Sequence, residues 1–121
     1  MASDERPRQY DLEDRTYEFA RDVRGFVRRL PHTLGNVEDV RQLVRASGSV
    51  AANYIEANES LGKKDFVMHV KICRKESKES RLFLRLVFID GNSELEKVRA
   101  DLVQEATELM SIFGAIVRKS E

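Results

Sequence analysis

Side chains that could do chemistry are concentrated in the middle of this 121-residue chain, and most of them are basic. Residues 63–85 contain eight Lys or Arg and three Asp or Glu, a local net charge of +5. Such a group of cations can bind the phosphates of a nucleic-acid backbone, because each neutralised phosphate releases condensed counterions. We define the basic stripe, the predicted nucleic-acid-binding residues, as Lys71, Arg74, Lys75, Lys78, Arg81 and Arg85.

The rest of the chain offsets this charge. Residues 1–62 carry a net charge of −2 and residues 86–121 carry −3, so 21 basic residues balance 21 acidic ones. The neutral total excludes a polyelectrolyte that binds nucleic acid along its whole length. An alternative interpretation of the stripe is an ordinary solvated face, or cross-pairing with the next helix, where Asp101, Glu105 and Glu108 recur at helical spacing and would form surface ion pairs.

A catalytic pair is a weaker hypothesis. Glu56 and His69 could lie side by side in neighbouring antiparallel helices, and a carboxylate beside a histidine can act as an acid–base pair. No nucleophile or phosphate-binding glycine loop accompanies them, so we predict no enzymatic activity and no cofactor. One cysteine, Cys73, and two histidines cannot form a closed zinc site without carboxylates, so no metal site is predicted either.

Polar residues also interrupt the apolar faces of the second and third helices. We interpret them as a polar seam that fixes the register of the two helices. In two antiparallel helices, residues equally far from the connecting turn lie side by side. With the turn near Gly62, this places Arg45 beside Glu79 or Ser80, and Ser49 beside Glu76. Cys73, on the same seam, is predicted to be a small core residue. The seam comprises Arg45, Ser49, Asn53, Glu56, His69, Glu76 and Glu79.

Four helices must position these residues. Apolar residues recur at three- and four-residue steps, and no proline occurs after Pro31. This pattern predicts an all-α, up-down-up-down antiparallel four-helix bundle. We expect a flexible tail over residues 1–9 and a single domain over residues 10–121. The predicted helices cover residues 11–30, 37–61, 64–90 and 93–118.

Two local features refine this prediction. Asp11 and Ser93 are expected to cap the first and fourth helices, with Glu96 completing a capping box after Ser93. The second helix contains a run of Ala, Ser and Gly around Gly48. Small side chains let another backbone approach closely, so we expect a tight helix crossing there.

The third and fourth helices carry more apolar residues than a monomeric four-helix bundle covers. We predict that the surplus forms a self-association interface. The alternative is a broad core within one chain. The predicted interface residues are Leu82, Phe83, Leu86, Ile89, Val103, Met110 and Val117.

Two sequence runs carry a family resemblance, RASGSVAANYIEA at residues 45–57 and CRKESKES at residues 73–80. They resemble the 23S rRNA intervening-sequence proteins, bacterial four-helix bundles first noticed as reading frames inside 23S ribosomal RNA genes. The resemblance covers nearly the whole chain. It implies an up-down bundle that assembles as a homo-oligomer, commonly a pentamer, with no established enzymatic activity. A related branch, the accessory variability determinant of diversity-generating retroelements, implies RNA or DNA and a reverse transcriptase as partners.

The sequence therefore predicts a non-enzymatic, oligomeric bundle that binds RNA or DNA backbone through the basic stripe. The alternative is a structural scaffold that recruits a protein partner and binds no nucleic acid. No apolar run approaches the roughly 20 residues that span a bilayer, and the N-terminus lacks the apolar segment of a signal peptide. We therefore expect no membrane partner and a cytoplasmic location.

Overall fold

Four helices account for most of residues 11–121, the part of the chain that the computed structural model describes. The predicted tail, residues 1–9, lies outside this part. Each helix packs against its neighbours in the chain, and the first also packs against the fourth, which closes the bundle. The predicted all-α four-helix bundle is confirmed. The helices are α1 (Leu12–Val27), α2 (Leu34–Asn58), α3 (Lys63–Leu86) and α4 (Ser93–Ser120).

The helix ends show where the predicted caps were right and wrong. Asp11 is the N-cap of α1, although its side chain makes no capping hydrogen bond. α2 begins earlier than predicted because the Thr33 hydroxyl accepts a hydrogen bond from the Asn36 amide at 3.1 Å. α4 is capped by Asn92 rather than by Ser93, since the Asn92 side chain accepts from the Leu95 amide at 2.9 Å.

α3 ends at Leu86, four residues before its predicted end, because the backbone becomes extended at Val87. Side chains of an extended segment alternate between two sides, so Val87 and Ile89 enter the core while Phe88 faces solvent. Asp90 and Gly91 then adopt positive φ angles of 55° and 69° and turn the chain into α4.

Asn36, a buried residue of α2, holds this extended segment in place. Its side-chain oxygen accepts from the Phe88 amide at 2.8 Å. Its side-chain nitrogen lies 2.9 Å from the carbonyl oxygens of both Phe88 and Pro31. One amide therefore ties the α3–α4 connection to the α1–α2 connection, and it satisfies backbone groups that lie outside the helices.

The core runs along the bundle axis and includes Phe19, Phe26 and Phe113. Cys73 lies within it with no exposed surface, which confirms its predicted place in the core. Burial raises the pKa of the Cys73 thiol to about 12. The thiol is therefore protonated at neutral pH and chemically inert.

Gly48 does not mark a tight crossing of two helix backbones, as the run of small residues had suggested. A Cβ atom at Gly48 would lie 3.1 Å from Nη2 of Arg24, on α1. The guanidinium of Arg24 donates to the carbonyl oxygens of Ala20 at 3.0 Å and Val44 at 3.5 Å. The small residues accommodate an arginine side chain that bridges α1 and α2.

Candidate nucleic-acid interface

The basic stripe lies on the side of α3 that faces away from the core. Val70, Cys73 and Leu84 point inward and are fully buried, which turns the intervening basic residues towards solvent. Arg81 is half-buried, and the other five members of the stripe are exposed. Helical periodicity therefore brings the six predicted residues to one continuous surface.

Most cations of the stripe have no acidic partner. Among residues 11–121, no carboxylate forms an ion pair with Arg74, Lys75, Lys78 or Arg85. Lys71 lies 3.8 Å from the Glu121 carboxylate. Arg81 donates to the hydroxyl of Thr107 at 3.3 Å, so its positive charge is not neutralised by that contact.

The predicted cross-pairing between the stripe and α4 is wrong. Glu105 and Glu108 bind Arg15, on α1, which donates from Nε and Nη2 to Glu105 at 2.7 and 2.9 Å and from Nη2 to Glu108 at 2.7 Å. Asp101 lies 3.5 Å from Lys97, one turn away on its own helix. Counting residues outward from the turn between α3 and α4 gives the level of a residue along the bundle but not the direction of its side chain. The rotation of α4 about its axis directs Glu105 and Glu108 towards α1.

Arg15 was not singled out in the sequence, although its spacing was a signal. It lies between Leu12 and Phe19 on the apolar face of α1, where an arginine needs partners. Its side chain is 10% exposed. The hydrogen bonds to Glu105 raise its pKa. A hydrogen bond from Gln104, followed by that from Arg15, lowers the pKa of Glu108, so these charges are already paired within the fold.

An open groove of about 490 Å³ lies along the stripe. Its single carboxylate belongs to Glu79, which accepts a hydrogen bond from Arg45 at 2.9 Å. The other lining residues are Lys75, Lys78, Arg81, Leu82 and Arg85. The groove is therefore strongly cationic, and its one acid is offset by an arginine of α2.

The polar seam between α2 and α3 forms in part as predicted. Arg45 contacts Glu79, as expected, and also lies 3.6 Å from Glu76. Ser49 does not hydrogen-bond to Glu76, and its hydroxyl and carbonyl oxygens both accept from the Asn53 side-chain nitrogen at 3.0 Å. Glu76 is buried, and its Oε1 atom has no hydrogen-bond partner among the described residues.

The Glu56–His69 pair considered for acid–base chemistry does not form. Nδ1 of His69 lies 3.1 Å from the Asn53 side-chain oxygen, and Nε2 lies 3.6 Å from Asp65. Glu56 is exposed on the outer side of α2, since Asn53, nearly one turn earlier, takes the position facing His69. Within residues 11–121, no group of three or more His, Cys, Asp or Glu side chains is arranged to hold a metal ion.

The predicted interface residues divide into two groups. Leu86 is 55% exposed and Leu82 is similarly open, while Phe83, Val103 and Met110 are half-buried. Ile89 and Val117 are only 7% and 3% exposed because both pack into the core of their own chain, so their assignment to an interface is wrong.

Phe88 is 51% exposed and was missed. The prediction extended α3 to residue 90, whereas the alternation of Val87, Phe88 and Ile89 before a turn is the pattern of an extended segment. Leu82, Leu86 and Phe88 are each about half exposed and lie close together in sequence at and just after the C-terminal end of α3. We refer to these three residues as the apolar end of α3.

Comparisons with known proteins agree with this architecture. Residues 8–115 match the family described as 23S rRNA-intervening sequence protein. A crystal structure from Bacteroides thetaiotaomicron, of a protein with unknown function from the S23 ribosomal protein family, is similar with a TM-score of 0.74. The two chains are 22% identical over 88% of this chain and 97% of that chain, which shows a shared fold. No curated protein matches the sequence, and no helix within residues 11–121 has the length and apolarity of a membrane span.

Proposed function

The chain belongs to the 23S rRNA-intervening sequence protein family, and we propose that it acts as a non-enzymatic homo-oligomer that binds the phosphate backbone of RNA or DNA through α3. One observation carries the proposal. Arg74, Lys75, Lys78 and Arg85 form no ion pair within the described part of the chain, because the acids that could neutralise them are bound elsewhere.

The length of the stripe suits a polyanion. Lys71 and Arg85 are fourteen positions apart in the sequence, and a helix rises 1.5 Å per residue, so the stripe extends over about 21 Å. Phosphates of one strand of a duplex follow each other at about 3.4 Å along the axis. That spacing is only the axial rise, because the strand also winds around the axis, so a straight stripe of this length contacts a few phosphates of one strand and does not follow the strand.

The lining of the groove favours backbone contacts over base recognition. No aromatic side chain lines the groove among the described residues, and Leu82 is its only apolar member. Exposed aromatic rings are the usual surfaces for base stacking, whereas lysine and arginine bind phosphates of any sequence. We therefore expect binding that tolerates changes in nucleotide sequence and weakens steeply with salt.

Self-association is the second part of the proposal, and it is supported by the apolar end of α3. Exposed apolar residues that lie together favour contact with another protein surface. A symmetric contact between copies would cover Leu86 and Phe88 and bring several stripes into one assembly. The assembly that we propose is a pentameric ring, which is the one implied by the family resemblance.

Charge reversal within the groove tests nucleic-acid binding. We expect wild-type protein to bind a fluorescent 20-nucleotide RNA at low salt, measured by fluorescence anisotropy. The triple variant Lys75→Glu, Lys78→Glu, Arg85→Glu should bind at least about 100-fold more weakly. The dependence of log K on log salt should become shallower by about two to three, because three phosphate contacts are lost.

A matched control carries the same change in charge away from α3, with Arg28→Glu, Arg41→Glu and Lys97→Glu. These exposed residues lie on other parts of the bundle, and the control variant should keep most of the wild-type affinity. Absence of wild-type binding at low salt would refute the proposal and favour the scaffold alternative, in which a protein partner is recruited instead. Equal losses in both variants would refute the assignment to α3.

Leu86→Glu tests self-association, because it places a charge in the apolar end of α3. Sedimentation velocity at micromolar concentration should show wild-type protein as a multiple of 13.9 kDa and the variant as a smaller species. Leu61→Glu is the control, since Leu61 is fully exposed just before the opposite end of α3. A wild-type chain that sediments only as a monomer would rule out this part of the proposal.

A further inference from the structure

Two arginines from different helices converge over Gly114, a buried residue in the interior of α4. A Cβ atom at Gly114 would lie 3.4 Å from Nη1 of Arg118, 3.8 Å from Cδ of Arg74 and 4.0 Å from Nη1 of Arg74. Arg118 belongs to the last turns of α4, whereas Arg74 belongs to the basic stripe on α3. Both guanidinium groups therefore reach the same point on the surface.

Neither guanidinium has an anionic partner within residues 11–121, and neither donates a hydrogen bond to a described group. Glu121, close to Arg118 in sequence, contacts Lys71. Both groups carry a positive charge and lie against the same glycine, so they repel each other. An anion between the two side chains offsets this repulsion and accepts from donors that otherwise face water, because both arginines are exposed.

A third arginine, Arg24, also covers a glycine, and its contacts are those of an arginine with a structural role. Arg24 lies against Gly48, and its guanidinium donates to the carbonyl oxygens of Ala20 and Val44. Its donors are thus used to join α1 to α2. Arg74 and Arg118 have the same kind of glycine contact without such hydrogen bonds, so fastening α3 to α4 does not explain their approach.

The glycine at position 114 supports a role for the two arginines other than stabilising the fold. Glycine in a helix interior is less favourable than alanine. An alanine methyl group would only touch the two guanidinium groups, at 3.4 Å or more, but a larger side chain would displace them. Because Gly114 has no side chain, the surface of α4 has a shallow depression there, and the two arginines can lie on either side of it.

We propose that Arg74 and Arg118 form a fork that binds one phosphate group at the boundary between α3 and α4. Guanidinium groups match phosphate because their planar donors reach two oxygens at once. This proposal rests on the proposed function in one respect, that a nucleic-acid backbone supplies the phosphate. The fork would extend the phosphate path from the basic stripe onto α4, and a phosphomonoester offers the same chemistry.

Inorganic phosphate provides a probe that is independent of nucleic acid. In protein labelled with 15N-arginine, we expect the Nε–Hε resonances of Arg74 and Arg118 to shift together and saturate with one dissociation constant. Sodium chloride at equal ionic strength should not reproduce these shifts. Arg118→Gln should abolish the response of Arg74, and Lys119→Gln, which removes a charge from the next position, should preserve it. Unresponsive arginines, or the same response to chloride, would overturn the fork.

Nucleic-acid binding provides the second arm. Arg118→Gln should reduce the slope of log K against log salt for a 20-nucleotide RNA by about one, whereas Lys119→Gln should leave it unchanged. Equal slopes in the two variants would overturn the fork as a backbone contact.

The two arms separate this proposal from the proposed function. If RNA binding depends on Lys75, Lys78 and Arg85 while phosphate shifts neither arginine, the fork is wrong and the proposed function stands. If phosphate shifts both arginines but the protein binds no RNA or DNA, the proposed function is wrong and the fork is a site for a phosphomonoester.

Discussion

α1 and α3 flank α4 and both present basic residues, but the two sides of the bundle use them differently. On one side, Arg15 reaches two carboxylates of α4 at hydrogen-bond distance. On the other, Arg74, Lys75 and Lys78 meet no carboxylate in the described portion of the chain. Glu105 and Glu108 of α4 are thus directed towards α1 and away from the stripe on α3.

The difference between the paired and unpaired cations is explained by how exposed they are to solvent. The side chain of Arg15 is 10% exposed, and a buried guanidinium is costly unless its donors are satisfied. The cations of the stripe are hydrated, so a missing partner costs little free energy. Paired charges on the α1 side therefore contribute to folding, whereas the α3 side retains charges that are free to bind a ligand.

Removal of Arg15 should have the largest effect on stability. Arg15→Met keeps much of the apolar stem but leaves Glu105 and Glu108 close together without their cation. We expect the free energy of unfolding to fall by about 2 kcal/mol, less than for a fully buried pair because both carboxylates are partly exposed. Urea denaturation followed by circular dichroism at neutral pH measures this loss.

Lys78→Gln is the matched control on the other side of the bundle. It also removes one positive charge, from an exposed residue with no acidic partner among the described residues. Its unfolding free energy should remain within about 0.5 kcal/mol of wild type. Similar losses in Arg15→Met and Lys78→Gln would contradict the distinction between a paired and an unpaired side.

A smaller effect is expected from pH at Glu108. Hydrogen bonds from Gln104 and Arg15 lower its pKa in the folded protein below the ordinary value of 4.5. A carboxylate with a lowered folded pKa contributes stability that is present above the unfolded pKa and lost as the pH falls through the folded pKa.

Glu108→Gln should therefore be less stable than wild type above pH 4.5, and the difference should shrink as the solution becomes more acidic. Urea denaturation at about pH 7 and about pH 3 would measure it. A difference that stays constant over this range would show that the charge of Glu108 does not contribute to the paired side.

Contacts between α2 and α3 were easier to predict than those involving α4. The turn near Gly62 correctly placed Arg45 beside Glu79, because both residues lie near the facing sides of their helices. Counting residues in the same way from the turn near Gly91 placed Glu105 beside the stripe, and this prediction was wrong. There the extended segment at Val87–Ile89 shortens α3, and the rotation of α4 turns Glu105 towards α1.

Some contacts left only weak signals in the sequence. Asn36 gives no indication that its amide will hold Phe88, fifty-two positions later. The approach of Arg74 to Gly114 was missed for the same reason, since a contact between distant residues depends on how two helices pack. Arg15 was the exception, because a charge on an apolar helix face already indicates that a partner must exist.

Apolar spacing and helix-breaking residues were sufficient by themselves to specify four helices, the all-α bundle and the exposed position of the stripe. These properties depend on local periodicity, which repeats within each helix and needs no knowledge of its neighbours. Tertiary structure alone decided that Glu105 and Glu108 pair with Arg15, that Ile89 enters the core and that Arg74 and Arg118 both lie against Gly114. Each of these depends on the rotation and packing of one element against another, which local spacing does not encode.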